Sequence, residues 1–103
     1  MSNVIHVQSG EELQSILDGH GDVVVDFSAP SWCRPCVALQ PHFDKASEAV
    51  DHVQFVMVDI DELPDVSNEY GIMSVPTVLR FRGGEKEVVN GRTVIQLVNE
   101  LKE

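Results

Sequence analysis

The stretch from Asp22 to Cys36, DVVVDFSAPSWCRPC, places the only two cysteines of the chain shortly after an apolar run. The run from Asp22 to Ser28 is apolar apart from Asp26 and predicts a central strand that is buried on both faces. Cys33 and Cys36 stand at the start of the segment with helical periodicity that follows. A thiol pair at a strand-to-helix junction can be oxidised and reduced without rearranging the fold. A dithiol/disulfide redox centre is therefore the leading hypothesis.

Length and composition restrict the class of protein. The chain has 103 residues, is 43% hydrophobic and 23% charged, and carries a formal net charge of −10. These values predict one globular domain, residues 1–103, whose core needs no structural disulfide. The strongly acidic balance argues against nucleic-acid binding, which requires clustered Lys and Arg. The sequence shows neither a secretory signal nor an apolar run of membrane-spanning length, so we expect a cytoplasmic protein that does not bind membranes.

Strands and helices are predicted to alternate along the chain. Alternating or continuous apolar runs predict strands at 4–7, 22–28, 53–58, 75–82 and 85–89. Helical periodicity and capping signals predict helices from about 10 to 19, 33–50, 63–70 and 94–101, with a kink at Pro41. Alternation implies parallel strands joined by right-handed crossovers, whereas the hairpin at Gly83-Gly84 must be antiparallel. The predicted fold is α/β, a mixed central sheet with helices on both faces.

The position of Cys33 at a helix start indicates its chemical role. Unpaired backbone N–H groups and the helix dipole favour a thiolate there. Cys36, one turn later, is within reach of Cys33 and is more enclosed. We therefore expect Cys33 to be the attacking nucleophile and Cys36 to resolve the mixed disulfide. Pro35 has no N–H to lose in the first turn and stiffens the ring.

Arg34 and Asp26 flank this chemistry. The guanidinium of Arg34 either favours the Cys33 thiolate further, which would give the pair a more oxidising character, or is a solvated loop charge whose effect is screened. Asp26 lies in an apolar strand, so burial should raise its pKa. Its strand leads into the redox turn, which places Asp26 to exchange a proton with Cys36 through water. An aspartate at an exposed strand edge is the less favoured interpretation.

Two other chemistries would also use a cysteine in this position. A structural zinc site needs four ligands, and the chain offers the cysteine pair with His6, His20, His42 and His52. None of these histidines has zinc-finger spacing, and all four are expected to be surface residues. A Cys-His hydrolase would not need a second cysteine at this offset.

Other motifs accompany the cysteine pair in a definite order. They are Asp26-Phe27, Trp32 to Cys36, Pro41, Tyr70-Gly71-Ile72, Val75-Pro76-Thr77 and Gly83-Gly84-Glu85. Together they resemble the thioredoxin family over nearly the whole chain. A single CxxC is a weak signal, but all of these motifs in the correct order make a strong one.

The resemblance implies the thioredoxin fold and a particular substrate surface. The Val75-Pro76 bond should be cis and pack beside the disulfide. The backbone before that proline should pair with an extended substrate peptide. The substrate-binding residues implied around the cysteines are Trp32, Arg34, Pro35, Ile60, Val75, Pro76 and Gly91, although Trp32 and Ile60 would also suit core packing.

The chain departs from the family pattern at four places. Arg34 replaces the central glycine of the motif, and one extra residue lies within Ala29-Pro30-Ser31. Met57 stands where many members have a lysine near the buried aspartate, which should make Asp26 harder to ionise. Asn90 replaces an apolar residue beside Gly91-Arg92. With Arg34, this makes the recognition surface more polar and more basic than the resemblance implies.

The resulting prediction is a cytoplasmic, monomeric thiol-disulfide oxidoreductase that reduces protein disulfides and needs no metal or organic cofactor. The resemblance implies a flavoenzyme of the thioredoxin-reductase type as the partner that restores the dithiol. One alternative is a net oxidant or a glutaredoxin-like exchanger, although the Cys-Pro-Tyr-Cys turn of glutaredoxins is absent. Another is a non-catalytic binding module on the same fold.

Overall fold

The structure is a computed structural model and describes residues 2–103. Five strands and four helices alternate over these residues. Their order is β1 (Val4–His6), α1 (Gly10–Gly19), β2 (Asp22–Ser28), α2 (Arg34–Ala49), β3 (Gln54–Asp59), α3 (Pro64–Glu69), β4 (Thr77–Arg82), β5 (Glu85–Val88) and α4 (Val94–Leu101).

The five strands form one mixed sheet in the order β1-β3-β2-β4-β5. β3 pairs in parallel with both β1 and β2, whereas β4 pairs antiparallel with both β2 and β5. The central β2 is buried over six of its seven residues. In the register, Asp26 lies beside Met57 on one side and Val78 on the other. The predicted mixed sheet is confirmed.

Helices cover both faces of the sheet. α2 and α4 cover one face, where Leu39 and Phe43 of α2 and Leu97 of α4 pack in one cluster with Val24. α1 and α3 cover the other face, where Leu13 and Val66 pack against alternate residues of the same strands. Because side chains alternate along β2, Asp26 points to the same face as Val24. The carboxyl group is therefore directed toward the α2 side of the sheet.

Several element boundaries differ from the prediction, and the cysteine turn supplies one of them. α2 begins at Arg34 rather than Cys33, because Cys33 is the N-cap and keeps an extended backbone. β4 begins at Thr77 rather than at residue 75, since Pro76 has no N–H to donate to the sheet ladder. The other predicted ends coincide with the observed ones or differ by one residue, as is usual for fraying termini. Pro41 lies inside α2, as predicted.

Arg80 connects the start of β2 to the end of α4. The residue is 3% exposed, and its side chain donates two hydrogen bonds to the Asp22 carboxylate, at 2.8 and 2.7 Å. It also donates to the backbone carbonyls of Glu100 (3.4 Å) and Leu101 (3.2 Å). The guanidinium is thus satisfied on both sides, which makes its burial tolerable.

None of the helices in residues 2–103 is long and apolar enough to cross a membrane.

Candidate active site

Cys33 and Cys36 lie between the end of β2 and the first turn of α2. They are joined by a disulfide with a Cα–Cα distance of 5.2 Å. The Cys36 backbone N–H donates to the Cys33 sulfur at 3.2 Å, so this sulfur caps the helix in the place of a hydroxyl or carboxylate oxygen. Pro35 occupies the first turn. The Cys33 sulfur therefore sits at the positive end of α2, as the sequence predicted.

Both sulfurs are enclosed, and Cys36 slightly more than Cys33. Cys33 is 4% exposed and Cys36 is 1% exposed. The Ala29 backbone N–H donates to the Cys36 sulfur at 3.5 Å. Ile60 and Val75 pack beside the pair, so the disulfide is bordered by apolar side chains. Access to the pair is consequently narrow.

The segment before Pro76 approaches the disulfide from a distant part of the chain. The Val75-Pro76 peptide bond is cis, as the family resemblance implied. The Val75 carbonyl oxygen lies 3.7 Å from the Cys33 sulfur. A backbone group 42 residues away in sequence therefore borders the sulfur that stands at the helix start.

Asp26 is buried behind the redox turn. It is 2% exposed, and its Oδ1 has no hydrogen-bond partner among the described residues. Burial raises the pKa of Asp26 from 3.8 to about 7; the Arg92 charge lowers this pKa and the Asp44 charge raises it. The predicted rise in pKa is confirmed, and the exposed-edge interpretation is wrong. A carboxyl with this pKa exchanges a proton readily near neutral pH.

The cation that acts on Asp26 comes from a place that sequence reasoning did not identify. Met57, the neighbour of Asp26 in β3, carries no charge. Arg92, in the segment between β5 and α4, supplies the positive charge instead. Its Nη1 donates to the carbonyls of Val89 (3.1 Å) and Gly91 (2.9 Å), which holds the guanidinium against its own loop. The sequence signal was the polar and basic Asn90-Gly91-Arg92 run, but its relation to Asp26 depends on the fold.

Trp32 lies on the surface beside the cysteines. It is 63% exposed, so the core-packing interpretation of this residue is wrong. Its indole N–H donates to Asp61 Oδ2 at 2.9 Å, and the Ser31 hydroxyl donates to the same oxygen at 3.2 Å. These bonds orient the indole while leaving most of it accessible. Ile60, by contrast, is half-buried and packs against both the disulfide and the α1/α3 core.

The remaining predicted substrate residues differ in accessibility. Arg34 and Pro35 are exposed at the start of α2, and Val75 and Pro76 are half-buried. Gly91 is buried, and its N–H donates to Glu100 Oε1 at 2.8 Å. A Cβ at this position would lie 2.9 Å from backbone atoms in the first half of α4. Close packing therefore explains the glycine, and contact of Gly91 with substrate stays a prediction.

The histidines do not surround the cysteine pair. His6, His20 and His52 are exposed, and His42 is half-buried on α2. Within residues 2–103, no three Cys, His, Asp or Glu side chains are grouped so as to hold a metal ion. The zinc interpretation of the CxxC thus has no ligand set in this part of the chain.

Comparison with known proteins places this geometry among thioredoxins. The family model described as Thioredoxin matches residues 3–103. The thioredoxin of Mycoplasmoides gallisepticum is 39% identical over 98 residues, which are 95% of this chain and 95% of that protein. Thioredoxin-2 of Pyricularia oryzae is 40% identical over 83 residues, 81% of this chain but 48% of that longer protein. The crystal structure of the thioredoxin NaTrxh from Nicotiana alata superposes with a TM-score of 0.85 at 33% identity, covering 98% of this chain and 91% of that one.

Proposed function

We propose, because this chain belongs to the thioredoxin family, that it reduces the disulfides of protein substrates through Cys33 and Cys36. The chain is a thiol-disulfide oxidoreductase, and its CxxC pair stands at disulfide distance. The observation that carries the assignment of roles is the Cys36 N–H directed at the Cys33 sulfur at the start of α2. This arrangement favours negative charge on the Cys33 sulfur in the reduced protein.

In the first step, the Cys33 thiolate attacks one sulfur of the substrate disulfide. A bond forms between Cys33 and that sulfur, the substrate S–S bond breaks, and the second substrate sulfur leaves as a thiolate. The slightly greater exposure of Cys33 supports its assignment as the nucleophile. The Val75 carbonyl beside Cys33 supports pairing of an extended substrate with this segment.

In the second step, Cys36 resolves the mixed disulfide. Its thiol passes a proton to Asp26 through water, and the resulting thiolate attacks the Cys33 sulfur. The Cys33–Cys36 disulfide forms as the bond to the substrate breaks, and the substrate leaves with both sulfurs reduced. The pKa of about 7 for Asp26 supports this assignment, since the group is neither fully charged nor fully neutral near pH 7. The two electrons given to the substrate come from the dithiol.

The substrate surface that we propose consists of the residues around this pair. The exposed indole of Trp32 and the ring of Pro35 offer apolar contact, while Arg34 adds a positive charge. The half-buried contributors are Ile60, Val75 and Pro76, and the buried Gly91 is the last residue of the set.

The cellular setting completes the proposal. A flavoenzyme of the thioredoxin-reductase type would return the Cys33–Cys36 disulfide to the dithiol. The protein would act as a cytoplasmic monomer in electron transfer to disulfides. Gel filtration of the reduced protein, and NADPH consumption when the protein is supplied to such a reductase, test the monomeric state and the reductase partner.

The assignment of roles is tested with serine variants. Cys33→Ser should abolish reduction of insulin disulfides. Cys36→Ser should instead accumulate a mixed disulfide with the substrate, visible by mass spectrometry and reversed by dithiothreitol. Turnover by Cys33→Ser, or trapping by Cys33→Ser rather than by Cys36→Ser, would contradict the assignment. A wild-type protein without turnover would favour a binding module.

A redox titration tests the direction of electron flow. The Cys33/Cys36 couple is equilibrated with glutathione and compared with the Arg34→Gly variant. If the guanidinium stabilises the thiolate, the variant has the more negative reduction potential. Equal potentials would show that the Arg34 charge is screened. A wild-type couple more oxidising than glutathione would favour the net oxidant.

A further inference from the structure

A cavity of about 360 Å³ lies beside the first turns of α2, next in sequence to the cysteine pair. Its lining residues are Pro35, Ala38, Leu39, His42, Pro76 and Arg92. Pro35 is two residues from Cys33, and Pro76 follows Val75, whose carbonyl lies 3.7 Å from the Cys33 sulfur. A residue in an extended strand advances the chain by about 3.3 Å. Because these neighbours of Cys33 and Val75 line the cavity, side chains a few residues from the attacked cysteine of a bound substrate are the ones that we test for entry into it.

The cavity has apolar walls and a basic end. Arg92 is the charged lining residue, His42 adds an imidazole, and no carboxylate is among the lining side chains. Arg92 is half-buried and anchored through Nη1 to the carbonyls of Val89 and Gly91. Its Nε and Nη2 donate to no group of residues 2–103. The guanidinium is thus held in place with donors still available.

Arg92 differs in this respect from Arg80 and Arg82. The protein has 17 Asp and Glu against 7 Lys and Arg. Arg80 is paired with Asp22, and Arg82 with Glu87. The acidic group whose pKa Arg92 lowers is Asp26, which is buried and half-protonated near neutral pH. Oδ1 of Asp26 accepts no hydrogen bond from Arg92.

We propose that this cavity binds a carboxylate side chain of the protein substrate, with Arg92 as the residue that recognises it. The protein would then prefer disulfides that have an Asp or Glu near the attacked cysteine. The apolar walls of Leu39 and Pro76 accommodate the methylene groups of such a side chain. This inference rests on the proposed reduction of substrates at Cys33.

The experiment compares disulfide peptides that differ only by Glu or Gln, placed at each of the three positions on either side of the attacked cysteine. kcat/KM is measured for the wild type, Arg92→Gln and Lys86→Gln. Lys86→Gln removes the same unit of charge from exposed β5, outside the cavity. Because Arg92 and the substrate Glu would form a half-buried charge pair, we expect the wild-type kcat/KM to be about three- to tenfold higher for the Glu peptide than for the Gln peptide at the best position. The preference should disappear in Arg92→Gln, remain in Lys86→Gln, and weaken in high salt.

The preference is the ratio of the kcat/KM values for the Glu and Gln peptides with the same enzyme variant. Any effect of Arg92 on Asp26 changes both values equally and cancels in this ratio. Equal rates for both peptides with the wild type would overturn the inference and leave the proposed function intact. Equal loss of preference in Arg92→Gln and Lys86→Gln would also overturn it, because the cause would then be net charge. Failure of the wild type to reduce either peptide would overturn the proposed function as well. If Arg92→Gln folds poorly, equal rates for the Glu and Gln peptides with the wild type still overturn the inference.

Discussion

Replacing Asp26 by Asn should change how the stability of the protein depends on pH. The folded protein retains the Asp26 proton up to a pH of about 7, whereas the unfolded chain loses it near 3.8. Between these values the folded state binds more protons than the unfolded state, so the free energy of unfolding falls as pH rises. This loss of stability is absent at pH values below the pKa of Asp26 in the unfolded chain and is complete at pH values above its pKa in the folded protein.

The size of the effect follows from the two pKa values. A rise from 3.8 to about 7, at about 1.4 kcal/mol per pH unit, corresponds to about 4 kcal/mol of stability lost to the charge on Asp26. The amide introduced by Asp26→Asn does not titrate in this range. The free energy of unfolding of Asp26→Asn, minus that of the wild type, should therefore increase by about 4 kcal/mol between about pH 4 and about pH 8.

The assay is urea unfolding of the oxidised proteins at several pH values across this range. Only the change of this free-energy difference with pH is interpreted, because the cost of burying the amide of Asp26→Asn is the same at every pH and cancels. Asp51→Asn, which alters an exposed carboxylate, serves as the matched control and should follow the wild type. A difference between Asp26→Asn and the wild type that stays flat, or that falls with increasing pH, would refute the reasoning.

Three further substitutions test other parts of the structure. Arg92→Gln removes the charge that lowers the pKa of Asp26, so the carboxyl ¹³C titration midpoint should move to higher pH; no movement would contradict the assignment of that cation. Arg80→Ala leaves the half-buried Asp22 without its partner and should cost about 3 kcal/mol in urea unfolding, and a loss below about 1 kcal/mol would show the pair to be dispensable. Gly91→Ala places a methyl group 2.9 Å from the α4 backbone and should lower stability by about 1–3 kcal/mol; unchanged thermal unfolding would show that the loop yields freely.

The redox turn could be predicted because its signals are local. A continuous apolar run encodes a buried strand, and two intervening residues bring Cys36 within one helical turn of Cys33. The same locality explains the error at the helix start. The residue that caps a helix does not have a helical backbone. Sequence periodicity does not distinguish this cap residue from the first residue of the helix.

The environment of the turn could not be derived from local patterns. The Val75 carbonyl lies 42 residues along the chain from Cys33, and only the family resemblance suggested that they meet. No sequence pattern linked Arg92 to Asp26, since the charge acts between two segments far apart in the chain rather than along one element. Burial of Gly91 against α4 likewise depends on how a loop meets a helix.

The amino-acid sequence by itself therefore determined which atoms exchange electrons in this protein, because the spacing of Cys33 and Cys36 is a property of one helical turn. Only the packing of distant elements established what surrounds those atoms. Desolvation of Asp26, the charge of Arg92 and the cavity beside Pro76 all arise from segments far apart in the chain. Burial and Coulomb interactions depend on distance in space, and the fold alone sets those distances.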